Sequence, residues 1–245
     1  MKYLIIGASS GLGREIAYEY ARNKHDLILV SRDLRDLTAI KSDLEKQSEI
    51  KVEILELDLN SESEIEKNLF VEKFFNDVQG ILFPIGMMFD DDKIELNQEK
   101  IEKLFKANFT SVAFIISKFL GPLSSKKGEI VGFGSIAAYL GRTLNPYYSA
   151  SKRALESYFE SLGFLSKKTN LNIQFYILGY MDTNLAFGKD LKLPKGSPKK
   201  LAKIIYKNKN NKFKKIFLSS KNFAPFLIDM RIAIIFAIKT ILINL

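Results

Sequence analysis

The chain has no cysteine and a single histidine, His25, in 245 residues. Without cysteine there is no disulfide framework, no thiolate metal site and no thiol nucleophile. A Ser-His-Asp triad would have to rest on His25 alone. That residue stands between Lys24 and Asp26, just before an apolar run, and reads as a surface loop position. Proton chemistry is therefore expected from Tyr, Lys, Asp or Glu. Acidic residues are scarce in one region: residues 189–221 hold twelve Lys and one acid, Asp190, for a net +11. The whole chain carries +9, so the remainder carries about −2 (9 minus 11). No recognised nucleic-acid motif accompanies these lysines, so they read as a solvated face and nucleic acid is not an expected partner. Long apolar runs are missing too. The uninterrupted run Ile232–Ile238 is seven residues, against the ~18 of a membrane-spanning helix.

What is present is a globular composition, 47% hydrophobic and 27% charged, and a chain long enough for a large core. The N-terminus, Met1-Lys2-Tyr3-Leu4-Ile5-Ile6-Gly7, enters a strand at once with no signal-peptide pattern, and a cytoplasmic protein is expected. Short apolar runs of strand length fall at Lys2–Ile6, Leu27–Val30, Val52–Leu57, Ile81–Ile85, Ile130–Phe133 and Ile173–Leu178, with a weaker one at Ile216–Leu218. Amphipathic stretches at 12–23, 34–47, 62–76, 98–120, 146–167 and 198–208 alternate with them. The alternation predicts an α/β fold: a doubly wound, mostly parallel seven-stranded sheet of Rossmann type, with helices on both faces. In such sheets ligands sit at the carboxyl ends of the strands. One catalytic domain is expected over 1–221, with a short substrate lid at 184–197 and an apolar helical extension at 222–245.

After the first strand comes Gly7-Ala8-Ser9-Ser10-Gly11-Leu12-Gly13, which opens into a helix. Glycines let the backbone turn sharply and approach a phosphate with no Cβ in the way. The helix start then offers free N–H groups to a diphosphate. Residues 7–13 are thus candidates for dinucleotide binding, by Gly7, Ser9, Ser10, Gly11, Leu12 and Gly13. After the second strand stands Val30-Ser31-Arg32-Asp33. An acid at the discriminating position would favour NAD; Ser31 there, followed by the Arg32 guanidinium, favours NADP(H) over NAD(H). A one-residue shift of register would aim Asp33 at the ribose instead. After the third strand, Asp58-Leu59 places a carboxylate where it can accept from the adenine amino group; Ser61 with Glu64 forms a capping box for the next helix.

The reaction centre is read from Tyr148-Ser149-Ala150-Ser151-Lys152. Residues four apart share a helix face, so the phenol and the ammonium project together. A phenol near pKa ~10 is a poor base at neutral pH. A neighbouring ammonium stabilises the phenolate and makes it a usable general acid/base. Ser135, just past the fifth strand, is a candidate to hydrogen-bond a substrate carbonyl. Asn108, inside a long helical stretch, is a candidate to hold a proton-relaying water. Read singly, Ser135 is a helix cap and Asn108 a solvated polar residue.

Together these residues resemble the short-chain dehydrogenase/reductase family. The resemblance runs from Lys2 to about Thr183, on Gly7-x-x-x-Gly11-x-Gly13, Asp58, Asn108, Ser135 and Tyr148-x-x-x-Lys152. It implies a tetrad of Asn108, Ser135, Tyr148 and Lys152, with Lys152 also on the nicotinamide ribose, hydride transfer at a carbonyl or hydroxyl carbon, and no metal. It also implies cofactor contacts at Gly86, Gly179 and Thr183. Two departures stand out. The family's Asn-Asn-Ala-Gly after the fourth strand is Phe83-Pro84-Ile85-Gly86 here, and its Pro-Gly after the sixth is Leu178-Gly179. The first puts sheet-stabilising hydrogen bonds in doubt; neither removes a reacting group. Competing readings are a nucleotide-sugar epimerase or dehydratase, and a non-enzymatic nucleotide-binding module. Expected partners are a small carbonyl or alcohol, a second copy of the chain in a homo-oligomer, and peripheral contact with the inner face of a membrane through 189–245. Basic charge followed by apolar sequence suits an anionic lipid surface.

Overall fold

The computed structural model describes residues 1–70, 72–139, 141, 143–182 and 195–218. Thr183, most of the expected lid and the expected C-terminal helix at 222–245 lie outside the described residues.

The chain alternates strand and helix from the start: β1 (Lys2–Ile6), α1 (Gly11–Arg22), β2 (Asp26–Ser31), α2 (Leu34–Ser48) and β3 (Val52–Glu56). Then come α3 (Glu62–Leu69), α4 (Glu72–Asp77) and β4 (Val78–Leu82). A helical rod follows, made of α5 (Gln98–Phe105), a π-helical turn (Lys106–Thr110) and α6 (Ser111–Ser125). Next are β5 (Glu129–Ser135), a 3₁₀ turn (Ile136–Tyr139), α7 (Pro146–Lys168), β6 (Asn172–Leu178), α8 (Pro198–Asn208) and β7 (Lys214–Leu218). The seven strands form one parallel sheet in the order β3-β2-β1-β4-β5-β6-β7. The order reverses between β1 and β4, which opens a crevice at their carboxyl ends.

Strand alternation divides the core. Leu4, Ile6 and Ile28 face the layer of α6 and α7, where Ile115, Phe119, Leu155 and Phe159 are buried. Tyr3, Ile5 and Leu29 face the layer of α1, α2 and α8, with Ile16, Leu37, Leu44 and Ile205. The rod Gln98–Ser125 is long and apolar enough to cross a membrane by length and composition. Here its Val112, Ile115, Ile116, Phe119 and Leu123 are buried in the core.

Four expectations need correction. β4 begins three residues before the expected Ile81. Gly80 is inside the strand because the Tyr3 ring lies where a Cβ would be, 2.8 Å away. The chain leaves the sheet at Pro84, which has no N–H to give, in a turn that returns Ile85 N to Phe83 O at 2.7 Å. The stretch 62–76 is two helices, since Phe70 takes a non-helical conformation after Leu69. The stretch 98–120 is interrupted by the π turn that contains Asn108 and runs on to Ser125. Finally, His25 is buried, 8% exposed. Its Nε2 lies 3.1 Å from both the Tyr206 hydroxyl and the Lys209 Nζ. The covering residues come from the α8 end of the chain, so the local sequence could not show it. Burial first, then the Lys209 ammonium, pull the imidazole down to about 4.

Candidate active site

The crevice between β1 and β4 is a cavity of about 220 Å³. Gly7, Ser9, Ser10, Ser31, Arg32, Asp58, Leu59 and Gly86 all line it, together with Pro84, Ile85 and Met87. Gly7 has a φ of +99°, and a Cβ there would meet Ile85 Cγ2 at 2.6 Å. A Cβ on Gly13 would meet Gly7 O at 1.9 Å, so the turn and the first turn of α1 are in backbone contact. Gly11 has a φ of +51°. Leu12 is turned into the core beside Ile16 rather than into the cavity. The N-cap of α1, Ser10, makes no side-chain cap hydrogen bond, so no side chain of its own takes the first N–H groups. Glycine walls without Cβ atoms and an uncapped helix start suit a diphosphate.

At the end of β2, Ser31 Oγ donates to Ser9 Oγ at 2.8 Å, and Arg32 is exposed at the rim. The Asp33 carboxylate is the N-cap of α2 and accepts from Asp36 N at 2.9 Å. At the end of β3, Asp58 Oδ1 accepts from Asn60 N at 3.0 Å. The capping box is only half formed. Ser61 Oγ accepts from Glu64 N, but Glu64 Oε2 takes Asp58 N at 3.2 Å instead of the N-cap N–H.

Tyr148 and Lys152 lie one turn apart on α7, 9% and 2% exposed. Lys152 Nζ donates to Ile85 O at 2.8 Å and to Phe133 O at 3.1 Å, the carbonyls past β4 and within β5. Burial pulls this ammonium down to about 8. Asn108 is wholly buried, not solvated. Its Oδ1 accepts from Met87 N at 2.7 Å, and its Nδ2 donates to Met87 O at 2.8 Å and Ser151 Oγ at 3.1 Å. The π turn around Asn108 is a local rearrangement of a kind frequent at functional sites. Ser135 Oγ accepts from Ala137 N at 3.2 Å and so caps the 3₁₀ turn, which still leaves its hydrogen to donate. Gly179 follows β6 directly. Met181 and Gly196 are bridged beyond it. Among the described residues no cluster of three or more His, Asp or Glu is gathered as a metal site.

Sequence reasoning missed three side chains. Ser151 ties Asn108 to the Tyr148 carbonyl, donating to it at 2.8 Å. Glu156, one turn beyond Lys152 and 1% exposed, accepts from Tyr139 Oη and from the Lys215 ammonium, and pairs with Arg153 at 2.9 Å. It thereby fixes the turn after Ser135 to α7. Asp92, 1% exposed, reaches α7 from the loop after β4. Only an acid at helical spacing from Lys152 hinted at Glu156; nothing local marked Asp92.

A parallel sheet reversing at a glycine-walled crevice, with Tyr148 and Lys152 on the helix beside it, defines a dinucleotide-fold protein. Family comparison agrees: residues 2–192 match the family model described as short chain dehydrogenase. The chain belongs to this family. It is 30% identical over 192 residues to a very-long-chain 3-oxoacyl-CoA reductase-like protein of Arabidopsis thaliana, covering 74% of this chain and 60% of that protein. It is 33% identical over 201 residues to a hydroxysteroid 11-beta-dehydrogenase 1-like protein of Xenopus tropicalis, covering 77% and 67%. The chain thus spans about three fifths of the length of the Arabidopsis relative. A short-chain dehydrogenase from Sphingobium yanoikuyae, solved in complex with NADPH, shares the fold at a TM-score of 0.85 and 22% identity, over 100% of this chain and 96% of that one.

Proposed function

We propose that this protein is an NADP(H)-dependent oxidoreductase that interconverts a carbonyl and a hydroxyl group, with Tyr148 as general acid/base. One observation carries the reading. The cavity behind the Gly7–Gly13 turn and the Tyr148–Lys152 pair share the carboxyl edge of one sheet, joined by the Lys152–Ile85 hydrogen bond. The bound nicotinamide supplies or accepts the hydride. The chain's own residues handle the proton. Tyr148 gives it to the substrate oxygen on reduction and takes it back on oxidation. Lys152 uses two of its three N–H groups on backbone carbonyls, and the third favours the phenolate or a ribose hydroxyl. Ser135 orients the substrate oxygen, and Asn108 fixes the loop that faces them. Asp58 and Leu59 flank the adenine, and Gly179 with Thr183 the carboxamide.

NADP(H) is favoured because Arg32 is exposed at the cavity rim while the competing Asp33 carboxylate is held as a helix cap. The names of the relatives, a 3-oxoacyl-CoA reductase and a hydroxysteroid dehydrogenase, support a bulky apolar carbonyl substrate. A homo-oligomer is the expected assembly. Lys199, Lys200, Lys203 and Lys207, exposed along α8, support peripheral contact with an anionic lipid surface. The test is NADPH consumption across carbonyl compounds, with and without lipid vesicles, beside NADPH and NADH binding. Turnover with a preference for NADPH that Arg32→Ala weakens about tenfold or more is the expected result. Tight NADPH binding with no turnover on any carbonyl would mark a binding module instead.

A further inference from the structure

The loop after β4 departs most from the family pattern, yet it touches most of the candidate site. Met87 pairs with Asn108, Ile85 O holds Lys152, and Met88 and Phe89 pack on the buried cluster that contains Tyr148. The same loop carries three consecutive aspartates, Asp90, Asp91 and Asp92. Asp92 alone of them is buried, at 1% exposed.

Helix α7 begins in an unusual way. Its N-cap, Asn145, is in the left-handed region with a φ of 58° and makes no side-chain cap hydrogen bond. An N-cap side chain normally satisfies the N–H of the second or third helical residue from extended backbone. Pro146 occupies the first helical position and has no N–H. That leaves the N–H groups of Tyr147 and Tyr148, both in the first turn. Asp92 takes both: Oδ1 accepts from Tyr147 N at 3.2 Å and Oδ2 from Tyr148 N at 2.9 Å. Its own carbonyl accepts from Asn145 N at 2.8 Å. A residue more than fifty positions upstream thus replaces the local cap. A carboxylate facing the positive end of a 23-residue helix is also favoured electrostatically.

We propose that Asp92 is a positioning residue for the reaction: the remote N-cap of α7 that sets where the Tyr148 phenol stands. It touches neither substrate nor cofactor, and acts through the Tyr148 main chain. The loop that holds Lys152 and Asn108 thereby also holds Tyr148, so one segment aligns three of the four tetrad members. The inference rests on the acid/base reading of Tyr148 given above.

The test compares Asp92→Ala with Asp92→Asn, whose amide oxygen still accepts one N–H. With Asp92→Ala, kcat falls about 10- to 100-fold, the range that a misplacement of about 1 Å produces. The Kd for NADPH changes less than about twofold, because the glycine turn is untouched. Asp92→Asn recovers kcat to within about threefold of wild type. In a Tyr148→Phe background, Asp92→Ala changes the residual rate by less than about twofold, since the group it positions is gone. Unchanged kcat in Asp92→Ala, a full loss in that background, or a folded Asp92→Asn as slow as Asp92→Ala would overturn the proposal. Amide hydrogen exchange gives a readout independent of turnover. Tyr147 and Tyr148 should exchange faster in Asp92→Asn, or in Asp92→Ala if it folds, with Gly7 and Gly13 unchanged. Equal protection at Tyr148 would contradict the cap. Variants that show this exchange pattern, beside a wild type that binds NADPH yet reduces no carbonyl, would defeat the acid/base reading while the cap stands.

Discussion

The two ends of β5 each bury an ionisable group, and they handle it in opposite ways. At the carboxyl end the Lys152 ammonium lies on two carbonyls, Ile85 O and Phe133 O, and is pulled down to about 8 by burial. At the amino end Glu129 is 3% exposed and pushed up to about 8, also by burial. Its Oε2 accepts from Tyr20 Oη at 3.1 Å, and its Oε1 has no hydrogen-bond partner among the described residues. Tyr3, Tyr20, His25, Tyr206 and Lys209 surround this end with edge-on rings and polar tips. The carboxyl end keeps a hydrogen-bonded cation beside a cavity. The amino end keeps an acid whose neutral form burial favours, in an aromatic cluster. Burial alone therefore does not mark a site; a buried charge with partners beside an open crevice does.

This contrast can be broken from either side. The largest effect belongs to Lys152→Met. Turnover should fall by about 10²- to 10⁴-fold, while Tm holds or rises because a buried cation is removed. A variant that unfolds but stays active per folded molecule would reverse the contrast. Next is Gly13→Ala, whose Cβ would stand 1.9 Å from Gly7 O. The turn must shift, and NADPH affinity should drop about 100-fold, with a loss of roughly 1–3 kcal/mol in urea unfolding.

Glu129→Gln sharpens the other end. The folded acid titrates above its ordinary value of 4.5, at about 8. Stability from this group is full below pH 4.5 and is lost as the unfolded carboxyl ionises and pH rises through 8. The wild type should thus lose several kcal/mol relative to the variant between pH 4.5 and 8, with kcat unchanged within about twofold. Lys152 acts in a separate window. Its folded value is lowered, so its contribution is present above pH 10.5 and is lost as pH falls toward 8. The smallest effect is at His25, lowered to about 4. Stability should rise with pH between 4 and 6.5, and His25→Gln should flatten that rise.

Much of this layout was readable from periodicity and motif. β1 matches its apolar run residue for residue. Gly7, Ser9, Ser10, Ser31, Arg32, Asp58, Leu59 and Gly86 line one cavity, while Gly11, Leu12 and Gly13 are not among its lining residues. Errors fell where tertiary contacts override local signals. The fourth strand, expected to start at Ile81, starts at Val78, with Gly80 inside it making room for Tyr3. His25 looked exposed and is covered by Tyr206 and Lys209 from beyond the sixth strand. Asp33, the alternative that a one-residue shift of register would aim at the ribose, is a helix cap. Asp92 was invisible because its partners are main-chain N–H groups far along the chain, and main-chain donors leave no trace in residue identity.

In the proposed reaction a phenol on α7 moves the proton for chemistry seated in the β1–β4 crevice. This is tested most directly by titrating NADPH into wild type and Tyr148→Phe by cofactor fluorescence and measuring carbonyl-dependent NADPH oxidation in the same samples. Equal NADPH affinity within about twofold, and a rate at least about 100-fold lower in Tyr148→Phe, are expected. Comparable rates in the two proteins, or no NADPH binding by either, would contradict it.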